Sequence, residues 1–248
     1  MLSWVRSLAV WSSAQHAPKS RGRALRSARL AALLGALGAA GVAHAAEGDA
    51  YYMAIYAAQN GEAGIDPASH DWAVFVRMPR AAYGGTTPVA SDDDGDPRPH
   101  VVPISWLPAR LPICVMCTEP VPGRNYELRE TIEIERRAGL RVSQWGPYEI
   151  DEALFDDAVR QAERLASGAV RYVVWDKGLR PHVLNCIHAV SDVDTTHPPL
   201  ATGPAIGDAA GEALQRFYWP HFRARSGRGA AFRRQLGVGD LVVMDRTP

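Results

Sequence analysis

The sequence predicts an α+β domain, an antiparallel sheet with helices packed on it, and three observations predict it. Short runs of β-formers, among them Trp72–Val76, Val101–Leu107 and Val142–Trp145, are interspersed with helical stretches instead of being grouped apart from them. Between Leu154 and Ala166, the apolar residues Leu154, Phe155, Ala158, Val159, Ala162 and Leu165 recur at the spacing of one buried helix face. Hydrophobic residues make up 47% of the 248 residues and seven are tryptophan, which is enough for a full core and excludes a disordered chain.

The elements follow in order. Residues 1–45 read as a signal peptide. Arg6, Lys19, Arg21, Arg23, Arg26 and Arg29 precede an apolar run, Leu30–Val42, that ends in the small-residue cleavage pattern Ala43-His44-Ala45. That run is shorter than the ~20 apolar residues of a membrane-spanning helix. The expectation is therefore an exported protein, periplasmic or extracellular, with no stable membrane anchor once the leader is cleaved. Residues 46–248 then form a single domain.

Residues 46–68 are expected to be exposed or loosely packed, and Trp72–Val76 is the first buried strand. Residues 81–99 form a mobile loop; its acidic cluster, Asp92–Asp96, lacks the downstream glutamate of a calcium loop. Val101–Leu107 and Ile113–Cys117 are the next strands. Asn125 caps a helix over Tyr126–Ala138 that Gly139 closes. Val142–Trp145 is a strand, Asp151 caps the periodic helix, and Val170–Trp175 is a strand. A helix opens at Cys186, another spans Asp208–Tyr218, and Leu241–Met244 is a last short strand.

Charge narrows the partners. No acidic residue precedes Glu47, and six of the 27 basic residues lie in the leader, so the mature chain is mildly acidic. That argues against nucleic acid or an anionic membrane as the main partner. Three cysteines give an odd count. Cys114 and Cys117 are a candidate disulfide, which requires a turn, because residues three apart on a strand face opposite sides. Two buried free cysteines are the alternative. Either way Cys186 stands apart.

Cys186 lies in Asn185-Cys186-Ile187-His188, with Asn185 as helix cap. A helix start and a nearby imidazole are the two features that turn a thiol into a nucleophile. His70 opens the strand Ser69-His70-Asp71-Trp72-Ala73-Val74-Phe75-Val76, and His100 opens the next one. Neighbouring strands would let one ring orient the other. The candidate catalytic residues are thus Cys186, His70 and His100, with Asn185 and Trp72 as candidate substrate contacts. No cofactor or metal is expected. A metal reading of His182, Cys186 and His188 matches no strong zinc spacing, and His188 is expected to face away from Cys186 as a hydrogen-bonded packing residue.

These motifs, Asn-Cys-x-His near the end of the domain and an upstream histidine before a Trp-Ala-x-aromatic strand, resemble the circularly permuted papain-like thiol enzymes. That family includes the lecithin:retinol acyltransferase-like and permuted NlpC-type proteins. The resemblance implies His70 as base, His100 as its orienting residue and Cys186 as nucleophile. It also implies a thiol hydrolase or acyltransferase acting on an amide or ester in a peptide, lipid or small molecule. The chain departs from the family pattern at Ile187 and Ala189, where glutamate and an aromatic are usual, and at Asp71, an added residue before Trp72 that can turn His70 to the other face of its strand. A non-catalytic exported protein, using the scaffold for binding or structure, is the second expectation.

Overall fold

The computed structural model describes residues 48–60, 69–79, 98–114, 116–176, 180, 182–200, 207–225 and 229–246. The leader and nearly all of the 81–99 loop lie outside the described residues. Among the described residues, no helix is long and apolar enough to cross a membrane.

The strands are β1 (Asp49–Gln59), β2 (His70–Pro79), β3 (His100–Ile104), β4 (Trp106–Pro108), β5 (Val121–Asn125), β6 (Arg141–Ile150), β7 (Arg171–Tyr172), β8 (Val183–Leu184), β9 (Ala224–Arg225) and β10 (Met244–Arg246). The helices are α1 (Leu128–Arg137), α2 (Glu152–Ala166), α3 (Cys186–Ser191), α4 (Asp208–Tyr218) and α5 (Gly229–Gln235), with a 3₁₀ turn at Trp219–His221. The main sheet runs β10-β6-β1-β2-β3, and β9 also pairs with β6. All its pairings are antiparallel except β10 with β6. A smaller sheet runs β4-β5-β7-β8. The fold is α+β, as the sequence predicts.

Both faces of the main sheet are covered. On one, Met53, Ile55, Ala73 and Phe75 pack with residues of α2, α3 and α4, such as Phe155, Val190 and Leu214. On the other, Tyr52, Tyr56, Trp72 and Val74 pack with Leu128 and Ile132 of α1 and Phe232 of α5. This corrects the reading of the first segment. Asp49–Gln59 is the central strand β1, and Met53–Ala58 are wholly buried. Its run Tyr51-Tyr52-Met53-Ala54-Ile55-Tyr56-Ala57-Ala58 is apolar on both faces, so it carries no in-out alternation to betray a strand.

Other elements shift for local reasons. The predicted strand Val101–Leu107 breaks at Ser105 and serves both sheets, β3 in one and β4 in the other. Asn125 does not cap α1, which starts later, after Glu127. Its side chain is used on the strand break instead: Oδ1 accepts the Ser105 N–H at 2.7 Å and Nδ2 donates to the Pro103 carbonyl at 2.7 Å. The described residues of the segment Ile113–Cys117 form no strand. Cys114 and Cys117 are bonded across a turn, with Cα atoms 5.3 Å apart and the Cys117 N–H donating to the Cys114 carbonyl. The 170–175 strand shrinks to β7, and the last strand starts three residues later than predicted, at Met244. Asp151 does cap α2, accepting the Leu154 N–H at 2.9 Å.

Candidate active site

Asn185 starts α3. Its side chain accepts the His188 N–H at 2.8 Å, which turns the chain into the helix and sets Cys186 at the first helical position. Among the described residues Cys186 is the free cysteine, and it is buried. Three backbone N–H groups, those of Asp71, Cys186 and Ile187, act on its sulfur and favour the anion. Burial outweighs them. With the Asp71 carboxyl adding repulsion, it pushes the thiol up to about 12.

The Asp71 N–H is free for this contact because the β2–β3 pairing ends at Ala73 opposite Ile104, leaving the first residues of β2 without a partner on that side. His70 stands one residue before Asp71 and is wholly buried. Its ring stacks on Trp72, with centroids 5.1 Å apart and 16° between planes. Nε2 is hydrogen-bonded to Ser105 Oγ at 3.0 Å. Ser105 Oγ lies 2.8 Å from Thr131 Oγ1, and Thr131 Oγ1 donates to the Glu127 carbonyl at 2.9 Å.

This chain of hydroxyls fixes the tautomer of His70. Thr131 has one hydroxyl hydrogen and gives it to Glu127, so Ser105 must donate to Thr131. Ser105 Oγ then accepts from His70, and the ring proton sits on Nε2. Nδ1 is left with a lone pair, buried, and without a hydrogen-bond partner among the described residues. Burial also lowers the ring to about 3, so it is neutral.

His100 is not the orienting residue. Register places it opposite Arg77, seven residues along β2 from His70, which is about 23 Å at strand rise. It is exposed, and its ring meets the edge of Phe155 at 5.4 Å. Ser105 holds the place beside His70, at the point where one strand divides between two sheets. No motif marked that serine; a polar residue between Ile104 and Trp106 in an otherwise apolar run was the available signal.

Trp72 is wholly buried between the rings of Tyr56 (5.4 Å, 6°) and His70, so it supports the histidine from within the core and presents no face to a substrate. Asn185 is half-buried and spent on the helix cap. His188 donates through Nδ1–H to Asp176 Oδ2 at 2.5 Å, both side chains buried. His182, Cys186 and His188 do not converge as metal ligands among the described residues.

Asp71 is the residue sequence reasoning missed. Treated only as a change of spacing, it is a buried carboxyl beside the sulfur, holding the Gly207 N–H and pushed well above the usual carboxylate range by desolvation. An acidic side chain within an apolar strand was its signal. Near the site, a pocket of about 520 Å³ is lined by the Cys114–Cys117 disulfide, Pro122 and the Tyr172–Val174 segment. Asn185 Nδ2 reaches the carbonyl of Val174 at 3.5 Å.

Compared with known proteins, the chain matches no family model, no curated protein and no solved structure.

Proposed function

We propose that this chain is a thiol hydrolase or acyltransferase in which Cys186 attacks an amide or ester carbonyl and His70 is its base. The observation that carries the reading is the unpartnered Nδ1 of His70: a buried lone pair with its tautomer fixed from the far side and no donor supplied. A buried acceptor left open costs on the order of 1–3 kcal/mol and calls for a function. The sulfur of Cys186 meets the N–H of Asp71, the residue that follows His70, while the His70 ring lies with Trp72 on the other face of the sheet.

In the proposed reaction the thiol proton passes to His70 Nδ1, which has no hydrogen bond to the sulfur in the resting structure, as sulfur bonds to the carbonyl carbon. The N–H groups of Cys186 and Ile187 at the start of α3 are the natural donors to the oxyanion. The imidazolium returns its proton to the leaving amine or alcohol as that bond breaks, giving an acyl-enzyme. Water or an acceptor alcohol or amine then takes the acyl group. Ser105 holds the ring, in the role that His100 was expected to fill. Export remains part of the proposal, and peptide cross-links or lipid esters outside the cytoplasm are then the substrate classes.

A second reading, a non-catalytic exported module, has one observation in its favour: the sulfur is buried and its thiol is pushed up to about 12. The two separate on acylation by an activated ester such as a p-nitrophenyl ester. The enzyme reading expects a burst of one nitrophenolate per chain, with the acyl group found on Cys186 by peptide mass spectrometry. Cys186→Ala abolishes the burst and His70→Ala slows it by about 10²–10⁴-fold. A native protein that takes up no acyl group, while its unfolded form alkylates at Cys186, leaves the second reading.

A further inference from the structure

Away from Cys186, the turn that follows α3 and the 3₁₀ turn that follows α4 bring three ligand-bearing side chains together. Oδ2 of Asp194 receives His197 Nδ1 at 2.7 Å and His221 Nε2 at 2.9 Å. The donor atoms of all three residues lie within 4.8 Å of one another. The other carboxylate oxygen, Oδ1, is held by the Thr196 N–H at 2.9 Å and the Thr196 hydroxyl at 2.6 Å. Thr196 Oγ1 also lies 2.9 Å from His197 Nδ1. One oxygen is anchored, so the other is aimed at both rings.

We infer that Asp194, His197 and His221 form a binding site for one divalent transition-metal ion of the zinc class. Two imidazole nitrogens and one carboxylate oxygen are a ligand set for zinc and its borderline neighbours; calcium and magnesium favour oxygen alone. Ligand bonds of ~2.0–2.1 Å in a tetrahedron separate neighbouring ligand atoms by roughly 3.3 Å. The observed 2.7 and 2.9 Å need to open by about half an ångström, within reach of side-chain rotation. In the metal-free state each ring donates a proton to Oδ2. On binding, the ring nitrogen gives up that proton to solvent or to the ring's other nitrogen, and the freed lone pair takes the metal.

The supports are rigid and the front is open. Tyr218 donates to the Val190 carbonyl at 2.6 Å, locking α4 to α3 directly behind the cluster. The Asp194 side chain is 2% exposed, whereas those of His221 and His197 are 21% and 53% exposed. Solvent therefore reaches the remaining coordination position, as in zinc sites that keep an exchangeable water. The site is independent of the thiol chemistry and stands or falls without it.

The test uses the whole protein, disulfide intact, freed of metal by chelation. Zn(II) is titrated by calorimetry, and Co(II) is followed by its visible d–d bands. The expected result is one Zn(II) per chain, tetrahedral or five-coordinate Co(II) bands, and an unfolding temperature that climbs with Zn(II) concentration. His197→Gln, on an exposed side chain whose loss leaves the fold intact, lowers affinity by about 100-fold or more, and Thr196→Ala, which frees Oδ1, by about tenfold. Metal-free unfolding of both variants at the wild-type temperature excludes a folding defect. No uptake by the wild type, or uptake that His197→Gln and His221→Gln leave unchanged, overturns the site.

Discussion

A buried neutral thiol and a separate neutral imidazole are a different resting state from a thiolate–imidazolium pair, and the difference can be measured. Alkylation of Cys186 should rise only at alkaline pH, with no plateau near neutrality, because the thiol lies near 12 and the ring near 3. A rate–pH profile that levels off below pH 7 would contradict this. Asp71→Asn removes a repelling carboxyl and should move the profile to lower pH. His70 and Asp71 set opposite stability slopes. His70 is depressed in the fold, so unfolding takes up a proton between the unfolded value near 6.5 and about 3. Stability present at pH 7 is lost as pH falls through that window, by roughly 5 kcal/mol. His70→Gln should flatten this acid limb in urea titrations read at pH 7 and pH 4. Asp71 is raised, so its contribution is present at low pH and lost as pH rises, and Asp71→Asn should gain stability on the alkaline side. Cys186 with its Asn185 cap was legible from four letters of sequence. Ser105 and Asp71 were not, because a hydroxyl and a carboxyl acquire their roles only when strands from distant segments are brought to one corner.

Elements were read best where a local signal dominated. Asp208–Tyr218 and the Asp151-capped helix carry strong periodicity or a side-chain cap, and both formed where expected. β1 escaped because a strand buried on both faces has no alternation, and the 170–175 run shrank to the two residues that pair with Val121–Pro122 of β5 and with the two-residue strand β8. Close packing gives a sharper test at this scale. A Cβ on Gly211 of α4 would fall 2.5 Å from the Trp145 ring, so glycine is what lets the helix lie against the sheet. Gly211→Ala should therefore destabilise by about 1–3 kcal/mol despite alanine's better helix propensity, seen as a lower unfolding temperature. A variant as stable as the wild type would mean the helix can shift without cost. Gly146 in β6 has a different reason: its φ is +88°, beside the register shift between Met53 and Ile55 in the β1–β6 ladder.

At the scale of the whole molecule, the main sheet is a central layer with helices on both faces, and the small sheet is joined to it through the strand that breaks at Ser105. The Cys114–Cys117 bond sits in that smaller part. It closes a loop of only a few residues, so its removal should cost no more than roughly 2 kcal/mol of chain-entropy stabilisation. Mild reduction should lower the unfolding temperature slightly and leave acylation of Cys186 intact. Loss of acylation on reduction would instead make the disulfide part of the substrate pocket it lines.

Every polar group of Ser105 is committed: its N–H to Asn125, its carbonyl to the Tyr126 N–H, its hydroxyl to Thr131 and His70. The residue that aims the proposed base is thus also the fastener between two sheets and a helix. Such a joint works as an interlock. A chain whose small sheet has not docked has no acceptor for Nε2, and its ring is free to take either tautomer. Under the proposed chemistry, an incompletely assembled copy would be inert, and a reactive thiol would come into service only once the whole domain had closed around it.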